Sequence, residues 1–414
     1  MFELEGKYGK AKILQAQEKV EQECISKIHG FLNSPIVENC NVAVMPDCHA
    51  GKGSCIGYTQ TLKDKVCPNT VGVDINCGML VYKISKKAGD RHFKREEDLA
   101  RLDRLVRENI PMGMNHRRER HELCKHLVDS GMIYDTYADI NADKELLALG
   151  TTGGGNHFCE LDIDSNGDYY LVVHSGSRHF GLAIANYWQN KAIEHCNSNK
   201  PDREALIAKL KAEGREKDIE AELKKLPVFE KVSNDLAYLE GEDFSKYLHD
   251  IKIATMFARL NRQAIVEDIL KLVGIKHKDL LESFETVHNY IDTDQMILRK
   301  GAIDLSTGRK AIIPISMAEG SLIVVGKGNK EYNCSGPHGA GRLMSRKAAR
   351  ETLKMQDFKA AMKGIYTTSV SVDTIDEAPA AYKPIEDITD NIKDLCDVVE
   401  VIKPIWNIKA GEKD

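Results

Sequence analysis

The sequence predicts an α+β fold, and three observations lead to that class. Short runs rich in β-branched residues alternate with glycine-rich loops in four separate places, around residues 50, 75, 155–175 and 288–340. A long helical block lies between the third and the fourth of these places. No Pro/Ser-rich linker divides the chain. We therefore expect one large domain over residues 1–414, with a helical insertion at about 185–273.

The composition is typical of a soluble globular protein. Of 414 residues, 42% are hydrophobic and 29% are charged, which suits a chain that buries a real core. No apolar run approaches a membrane span and the first residues contain no signal sequence, so we expect a cytoplasmic protein without membrane contact. The net charge of -5 argues against a broad nucleic-acid surface. A phosphate-rich partner would therefore need a local basic patch or metal ions.

The eleven cysteines are an odd number scattered along the chain. In a reducing compartment such residues are mostly small buried hydrophobic groups, and one of them can be a metal ligand or a reactive thiol.

The first part of the chain predicts both helices and strands. Residues 11–30 have the pattern of an amphipathic helix that ends at Gly30, and residues 93–130 are charged and helical in character. The basic stretch NHRRERHE within them is interpreted as a solvated helix face, with a contact to a nucleic-acid backbone as the less favoured alternative. The predicted strands are NVAVMP, IGYTQT and MLVYKI.

The second part repeats this alternation. GTTGGGNHFCEL and YYLVVHSGSR have strand and glycine-loop character, as do TVHNYI, RKGAIDL, AIIPISM and SLIVVGKG from residue 285 onward. Residues 202–226 combine dense opposite charges with few large apolar residues and predict a helical hairpin in solvent. Residues 244–273 predict a helix packed on the core, and further helices are expected at 342–363 and 387–398.

Five metal-ligand side chains occur in the glycine-rich loops. They are Asp74 and Cys77 in VGVDINCGM, His157 in GGGNHFCE, His174 in VVHSGSR and His288 in TVHNYI. Three imidazoles, one carboxylate and one thiolate suit a borderline divalent ion such as Mn, Fe, Co or Zn, and a thiolate can bridge two ions. The alternative is that each is an ordinary core residue, but their joint occurrence favours a metal site.

A second candidate site lies in SGPHGAGRLMSR. His338 stands in a Pro/Gly loop that we expect to run straight into a helix, whose first N–H groups could hold a phosphate. Its imidazole could attack phosphorus, and Arg342 and Arg346, one helical turn apart, could hold further phosphates. An ordinary helix start with a loop histidine is an equally good interpretation of this segment alone.

A third segment, PDCHAGKGS, carries Asp47, His49 and Lys52. Lys52 between glycines lacks the full GxxxxGK[ST] spacing, so a phosphate loop is a weak interpretation. Asp47 could be a base or could support another catalytic group, whereas a tight turn stabilised by Asp47 is the structural alternative.

Taken together, these motifs resemble the RtcB family of RNA ligases. The resemblance runs from about residue 40 to the last ten residues, in the family's order. It rests on MPDCHAGKGS, VGVDINCGM, GTTGGGNHF, HSGSR, HNY, IIPISM, HGAGR, EAPAAYK and a C-terminal lysine. The family has its own α+β fold, with mixed sheets around a deep metal-lined cleft.

The resemblance implies a specific site. Asp74, Cys77, His157, His174 and His288 would bind two Mn²⁺ ions, with Cys77 bridging them. His338 would attack the α-phosphate of GTP and become GMP-histidine. The GMP pocket implied by the resemblance comprises Asn156, His157, Glu160, His288, Asn289, Pro314, Ile315, Ser316, Met317, Ser321, His338, Gly339, Ala340, Gly341, Tyr382 and Lys409.

The resemblance also implies a reaction and its partners. An RNA 3′-phosphate, or a 2′,3′-cyclic phosphate after opening, would be joined to a 5′-hydroxyl in tRNA splicing or RNA repair, with an archease-type protein as a possible activator. Some positions depart from the family's pattern: Gly-Pro precedes His338, and Ile315 and Ala318 stand where many members have glycines. The alternative function is a metal-dependent RNA phosphoesterase or cyclic phosphodiesterase, which needs the metals but not His338.

Overall fold

The computed structural model describes residues 1–198, 203–225 and 231–411. It has the mixed α+β architecture that the sequence predicts. The strands are β1 (Phe2–Glu5), β2 (Lys10–Ile13), β3 (Val42–His49), β4 (Ile56–Thr61), β5 (Lys65–Val66), β6 (Gly78–Ile84), β7 (Phe158–Ile163), β8 (Tyr169–Ser175), β9 (Leu239–Glu240), β10 (Leu280–Val287), β11 (Tyr290–Asp292), β12 (Ile297–Lys300), β13 (Ala302–Asp304), β14 (Lys310–Ser316), β15 (Gly320–Gly326), β16 (Ser335–Pro337) and β17 (Cys396–Ile408).

The helices flank these strands and are concentrated in the middle of the chain. They are α1 (Gln22–Leu32), α2 (Lys86–Phe93), α3 (Glu96–Asn109), α4 (Lys125–Val128), α5 (Ala142–Glu145), α6 (Arg178–Asn197), α7 (Arg203–Ala212), α8 (Ile219–Lys225), α9 (Gly241–Val273), α10 (Arg346–Thr352), α11 (Met355–Ala361) and α12 (Ile385–Thr389). No helix in the described ranges is long and apolar enough to cross a membrane.

Two large sheets organise the fold. A six-stranded sheet has the order β1-β2-β3-β4-β12-β11, and a seven-stranded sheet has the order β10-β6-β8-β7-β17-β15-β14. Pairing is antiparallel throughout both sheets except between β2 and β3. The chain passes from the second sheet to the first between β10 and β11, at His288 and Asn289, so these two residues lie where the sheets meet.

The register of the seven-stranded sheet separates the face that packs on α3 and α9 from the face that carries the site residues. Phe158 pairs with His174, and Glu160 pairs with Val172 on one side and with Asn407 on the other. Because directly opposed residues point to the same face of a sheet, these side chains share one face. The alternate residues, which include Leu161, Val173 and Trp406, pack in a buried apolar cluster with α3 and α9 on the opposite face.

Several predicted elements are confirmed. The strands of the glycine-rich regions occur where the sequence places them, and α9 buries the predicted stripe of Ile251, Ile253, Ala254, Phe257 and Leu260. The charged hairpin is present as α7 and α8, and most of its residues are exposed or half-buried. Its outermost predicted residues, 202 and 226, lie outside the described ranges. The helices of the middle region begin at Arg178, a little before the expected insertion, and a single domain over residues 1–414 stays a proposal.

The first predicted helix is wrong in its first half. Lys10–Ile13 form β2 and pair with β3 through Ala11 and Val42, and α1 begins only at Gln22. Ala11 and Ile13 are buried on one side of the strand, so tertiary pairing outweighs a helical periodicity that continues through them. The helix also passes Gly30, because the apolar pair Phe31–Leu32 extends its buried face.

The predicted helix over 93–130 is interrupted. α3 ends at Asn109, immediately before Ile110 and Pro111, because proline lacks an N–H and excludes the preceding residue from helical geometry. The basic segment that follows is irregular rather than a helix face. Its Arg117 donates to the carbonyl of Gly150 and pairs with Asp268 at 2.6 Å, so it ties loops together.

Two predictions near the C-terminus also need correction. The helix expected at 342–363 is two short helices, α10 and α11, and the first begins at Arg346 with the Ser345 hydroxyl as its N-cap. The helix expected at 387–398 ends at Thr389, and Cys396 already belongs to β17. Pairing with other parts of the fold explains both differences. The bridge of Arg342 to Tyr382 delays the start of the first helix, and the pairing of Cys396 with Gly326 keeps the end of the second segment in a strand.

The C-terminal strand β17 is inserted between β7 and β15. Trp406 is fully buried and its indole N–H donates to Asp103 at 3.1 Å. Lys409 directly follows the last residue of β17, so the pairing of this strand with its neighbours carries Lys409 into the interior. Its side chain is 7% exposed.

We predict that Trp406→Ala lowers the free energy of unfolding by about 3–5 kcal/mol, because it opens a cavity and removes the Asp103 contact. Val399→Ala on the same strand is the control: Val399 is 53% exposed, and its truncation should change stability by less than about 0.5 kcal/mol. Urea unfolding followed by circular dichroism measures both. Equal losses in the two variants would mean that β17 is not held by its buried indole.

Candidate active site

The predicted metal ligands come together where antiparallel strands begin and end. Asp74 and Cys77 lie in the loop that leads into β6, His157 immediately precedes β7, His174 lies within β8, and His288 immediately follows β10. The four strands are neighbours in the order β10-β6-β8-β7, so the register brings these ends to one edge of the sheet.

Their side chains form two groups that share the Cys77 thiol. Its Sγ lies 3.2 Å from Nε2 of His157 and 3.2 Å from Nε2 of His174, and His157 Nε2 lies 2.9 Å from an oxygen of Asp74. One group is Asp74, Cys77 and His157; the other is Cys77, His174 and His288. In each group the potential ligand atoms lie within 4.8 Å of one another, a spacing suited to a single ion.

The protonation states of the imidazoles suit metal binding. His157 places Nδ1 2.8 Å from the carbonyl of Thr152, a hydrogen bond that orients the ring so that Nε2 faces Asp74 and Cys77. Burial lowers the pKa of His174 and of His288 well below 6.5, so both rings are neutral. Nδ1 of each of these two rings is buried without a hydrogen-bond partner among the described residues. Because buried polar atoms normally have a partner, this exception calls for an explanation.

The carboxylate of Asp74 is held tightly. Burial opposes its ionisation, but the hydrogen bond and charge of His157 outweigh this effect and lower the pKa of Asp74 to about 2. The backbone N–H of Ser177 donates to the same group at 3.2 Å. A Cβ on the neighbouring Gly176 would lie 2.2 Å from Asp74 Oδ1, so the HSGSR motif needs glycine there to admit the carboxylate.

His338 lies beside this cluster and is oriented by Asp47. Its Nδ1 is 2.7 Å from Asp47 Oδ2, and its backbone N–H donates to the same oxygen at 3.2 Å. Asp47 is fully buried, whereas the His338 side chain is 20% exposed. The ring centroid is 4.7 Å from that of His288. With the proton on Nδ1 toward Asp47, Nε2 keeps its lone pair, which is the arrangement of an activated imidazole.

A cleft of about 330 Å³ joins the metal-ligand cluster to His338. It contains almost every residue of the nucleotide pocket implied by the resemblance. The lining residues from that set are Asn156, Glu160, His288, Asn289, Pro314, Ile315, Ser316, Met317, His338, Gly339, Ala340, Gly341, Tyr382 and Lys409.

Two members of the implied pocket do not line the cleft. His157 is turned toward Asp74 and Cys77. Ser321 is fully buried on β15 opposite Pro314, and its hydroxyl has no partner in the described part of the chain. Asn289 does line the cleft, but its amide oxygen is already used by the backbone N–H of Gly301 at 2.8 Å.

The helix-start phosphate site expected at His338 is not formed. α10 begins at Arg346, eight residues later, so its N-terminus does not follow the histidine directly. Arg342 and Arg346 do not share a helix face either, since Arg342 lies in a bridge with Tyr382. The two guanidinium groups nevertheless converge on Glu377, at 3.5 and 2.5 Å. Tertiary contacts with Glu377 thus bring the two arginines together, although they are not one turn apart on a helix.

Glu377 is a central residue that the motif analysis did not single out. Besides the two arginines, it accepts hydrogen bonds from Lys409 Nζ and from the Tyr382 hydroxyl, both at 2.7 Å. Burial opposes its ionisation, but Lys409 and Arg346 outweigh this effect and lower the pKa of Glu377 to about 2. The only sequence signal for it is its place as the first residue of EAPAAYK.

Asn407 is a further residue of the cleft that the motif analysis missed, and its only signal was its place two residues before Lys409. Phe158 lies within the segment 156–160 that the resemblance implied for the pocket, and it lines the cleft. His49 lines it as well, with Nδ1 3.0 Å from the carbonyl of Asp47. Lys52 is exposed and is followed by β4 rather than by a helix, so the segment lacks the context of a phosphate loop.

A second cleft, of about 710 Å³, reaches Asp74 from another side. It shares Asp74, Arg346 and Glu377 with the first cleft. Arg178, His116 and Arg350 add basic groups to its wall.

Comparison with known proteins agrees with this geometry. The sequence matches the family described as tRNA-splicing ligase RtcB over residues 31–146 and 131–410. The chain belongs to the RtcB family. It is 32% identical over 407 residues to the RNA-splicing ligase RtcB of Escherichia coli K12, an alignment that covers 89% of this chain and 90% of the relative. It is 25% identical over 439 residues to the tRNA-splicing ligase RtcB of Methanococcus maripaludis, with 92% and 88% covered.

The match to the RtcB family covers the seven-stranded sheet, the strands β3, β4, β11 and β12 of the six-stranded sheet, and the first cleft. The matched residues begin in α1 and end after β17, so they include Asp47, the five clustered metal-ligand side chains, His338 and Lys409. The RtcB resemblance inferred from the motifs is thereby confirmed.

We predict that Cys77→Ala lowers the metal content of the purified protein, because its thiol belongs to both groups and no other thiol is among them. Cys124→Ala is the matched control, since Cys124 is also buried but accompanies no such cluster among the described residues. Elemental analysis after dialysis measures both. Full occupancy in Cys77→Ala would refute a shared thiolate ligand.

Proposed function

We propose that this protein is a GTP-dependent RNA ligase that joins an RNA 3′-phosphate or 2′,3′-cyclic phosphate to a 5′-hydroxyl through GMP-His338. The observation that carries the proposal is the position of His338. Its imidazole is held by a buried carboxylate, faces a nucleotide-sized cleft and lies next to two potential metal groups. RNA ligation itself follows from membership of a family named for it and from relatives that bear the same name.

Two Mn²⁺ ions are the proposed cofactors. Asp74, Cys77 and His157 would hold one ion, and Cys77, His174 and His288 the other, so the mixed carboxylate, thiolate and imidazole set fits a borderline divalent cation. When bound, the ions supply positive charge that stabilises negatively charged phosphate oxygens and lowers the pKa of a bound hydroxyl. Manganese, rather than iron, cobalt or zinc, is taken from the family resemblance.

His338 is the proposed nucleophile, and Asp47 is its positioning partner. Nε2 of His338 attacks the α-phosphorus of GTP, a bond to phosphorus forms, and pyrophosphate leaves. The Nδ1 proton stays hydrogen-bonded to Asp47, whose negative charge stabilises the positive imidazole that forms. Asp47 is fully buried, so little solvent screens this interaction.

Two transfers complete the proposed reaction. A 2′,3′-cyclic phosphate is first opened by water, which breaks the bond to the 2′-oxygen and leaves a 3′-phosphate. An oxygen of the RNA 3′-phosphate attacks the phosphorus of GMP-His338, and the imidazole leaves with its lone pair restored. The RNA end then carries GMP as a good leaving group, and the 5′-hydroxyl attacks the original 3′-phosphorus. A phosphodiester forms, GMP leaves, and the hydroxyl proton passes to solvent or to a basic group of the site.

The basic cluster around Glu377 is proposed to receive phosphates. Arg342, Arg346 and Lys409 all approach this one carboxylate, and Asp376 pairs with Arg346 at 2.6 Å. Arginine suits phosphate oxygens because its planar fork donates two parallel hydrogen bonds. A phosphate that enters the cleft can replace Glu377 as the partner of one or more of these cations.

The second cleft is the proposed path of the RNA end. It reaches Asp74 and Arg346, which also border the nucleotide cleft, and Arg178 and Arg350 lie on its wall. Local arginines and metal ions would supply the positive field that the net charge of -5 does not. tRNA splicing or RNA repair in the cytoplasm, with an archease-type activator, is the biological setting implied by the resemblance.

We predict that His338→Ala abolishes transfer of label from α-labelled GTP to the denatured protein, while metal content persists, because the attacking nitrogen is lost but the metal-ligand cluster is intact. His195→Ala, in α6 away from the cleft, should label normally. Retained labelling of His338→Ala would show that another residue is the nucleophile. Absence of label in the wild type, with release of phosphate from RNA ends, would favour a metal-dependent phosphoesterase.

We predict that Lys409→Ala slows GMP-His338 formation but leaves sealing of RNA that already carries a 3′-terminal GMP nearly unchanged. Removal of the ammonium group takes one positive charge from the surroundings of Glu377, so the negatively charged nucleotide binds more weakly in the first step. Lys403→Ala, an exposed lysine on the same strand, is the control for both steps. Single-turnover rates measure the effect. If sealing falls as far as guanylylation, Lys409 acts through the fold or the RNA.

A further inference from the structure

Asp162 is a buried carboxyl group that the reaction described above does not use. It lies on β7, two residues after Glu160 and on the same face of the strand. Its side chain is fully buried, and neither carboxyl oxygen has a hydrogen-bond donor among the described residues. An ionised carboxylate in such a position would lose its hydration without compensation.

The carboxyl groups of Asp162 and Glu160 are neighbours on one face of β7, and both side chains are buried. Two neighbouring buried carboxyl groups, of which Asp162 has no donor among the described residues, cannot both be ionised, so the pair shares a proton. Glu160 has the better environment for a negative charge, because the amide of Asn407 donates to it at 3.3 Å and Lys409 lies nearby. The proton therefore belongs to Asp162, whose O–H then donates to Glu160.

The surroundings of the pair contain few other charges. On β8, Val172 faces Glu160 and Tyr170 faces Asp162, but the Tyr170 hydroxyl donates to Asp164 instead. On β17, Asn407 faces Glu160 and the uncharged Pro404 faces Asp162. Lys409, directly after the end of β17, is the cation near Glu160, and its ammonium group also donates to Glu377.

The titration behaviour of the two groups agrees with this assignment. Burial and the neighbouring Glu160 raise the pKa of Asp162 well above its usual value. Burial also raises the pKa of Glu160, but Lys409, Asn407 and Asp162 oppose it, and the result is about 7. At neutral pH, Asp162 thus holds a proton, and the pH is close to the pKa of Glu160.

We propose that Asp162 is a positioning residue that donates its proton to Glu160 and thereby keeps Glu160 an ionised acceptor for the base of the bound nucleotide. Glu160 lines the cleft, and an ionised carboxylate accepts two N–H groups from the edge of guanine, which presents adjacent donors. Adenine presents an acceptor at the corresponding ring nitrogen. Asp162 therefore contributes to selection of GTP without touching it, and this inference rests on the proposed function.

The pH dependence follows from the sign of ionisation. Glu160 must be charged to accept, so wild-type binding of guanine nucleotide is strong above about pH 7 and weakens as the pH falls through that value. Asp162→Leu removes the donor and leaves burial of Glu160 uncompensated, which raises its pKa and moves the loss of binding to higher pH. Asp162→Asn keeps a donor, so its profile should follow that of the wild type.

The test measures affinity for α,β-methylene-GTP, which cannot guanylylate the enzyme, with full-length protein and Mn²⁺ between about pH 6 and about pH 8.5. At pH 7, Asp162→Leu should bind roughly fivefold more weakly than the wild type, since a rise of about one unit in the pKa of Glu160 lowers its ionised fraction from about one half to about one tenth. The difference should shrink toward alkaline pH. The corresponding ATP analogue should show no such difference.

Three results would overturn the proposal: an unchanged pH profile in Asp162→Leu, an equal loss of affinity at every pH, or an Asp162→Asn variant that behaves like Asp162→Leu. Infrared spectroscopy of the nucleotide-free protein gives an independent measurement. A protonated-carboxyl band at neutral pH that disappears in Asp162→Asn supports the shared proton, and its absence refutes it. If that band is present but the wild type binds no guanine nucleotide at any pH, the proposed function fails and the positioning role fails with it.

Discussion

The burial of one thiol between two imidazoles is the constraint on which the rest of the site depends. Cys77 Sγ lies 3.2 Å from a ring nitrogen of His157 and of His174, and these residues belong to different strands or their ends. Side chains on a strand alternate between faces, so a slip of one residue between β7 and β8 would turn His174 into the apolar core and bring Val173 to the cleft. The hydrophobic packing on α3 and α9 therefore also determines the geometry of the face that carries the site residues.

The cleft exists because the two sheets meet at this place. Asp47 lies on β3 of the six-stranded sheet, the metal-ligand cluster lies at the edge of the seven-stranded sheet, and His288 lies where the chain passes between them. His338 spans the junction through its hydrogen bond to Asp47 and its ring contact with His288. For the nucleophile that we propose, this orientation by the protein itself lowers the entropic cost of reaching a reactive geometry.

Buried charges are present throughout the cleft, and each is compensated by a specific partner. Glu377 pairs with Lys409 and two arginines, Asp47 holds His338, and the proton that we propose on Asp162 leaves a single charge on its pair with Glu160. Burial of an unpaired charge would cost several kcal/mol, so these groups must be paired in the free protein. In the proposed function, a phosphate replaces Glu377 as the partner of one of these cations. The base of the nucleotide then donates hydrogen bonds to Glu160.

The sequence by itself determined the fold class and most strands of the glycine-rich regions, because period-two patterns and glycine loops are local in the chain. Which reactive side chains lie near one another was implied only by the family resemblance of the ordered motifs. It did not determine where α1 and α10 begin, since pairing of Ala11 with Val42 and of Arg342 with Tyr382 outweighs local helical periodicity. Nor did it indicate Glu377 or Asp162, which look like ordinary acidic residues in a motif and before a turn. Only the tertiary structure decided their roles. Glu377 binds residues that are distant in sequence, through hydrogen bonds that require separations of about 3 Å. Asp162 depends on the burial of one face of β7, which a short strand sequence does not reveal.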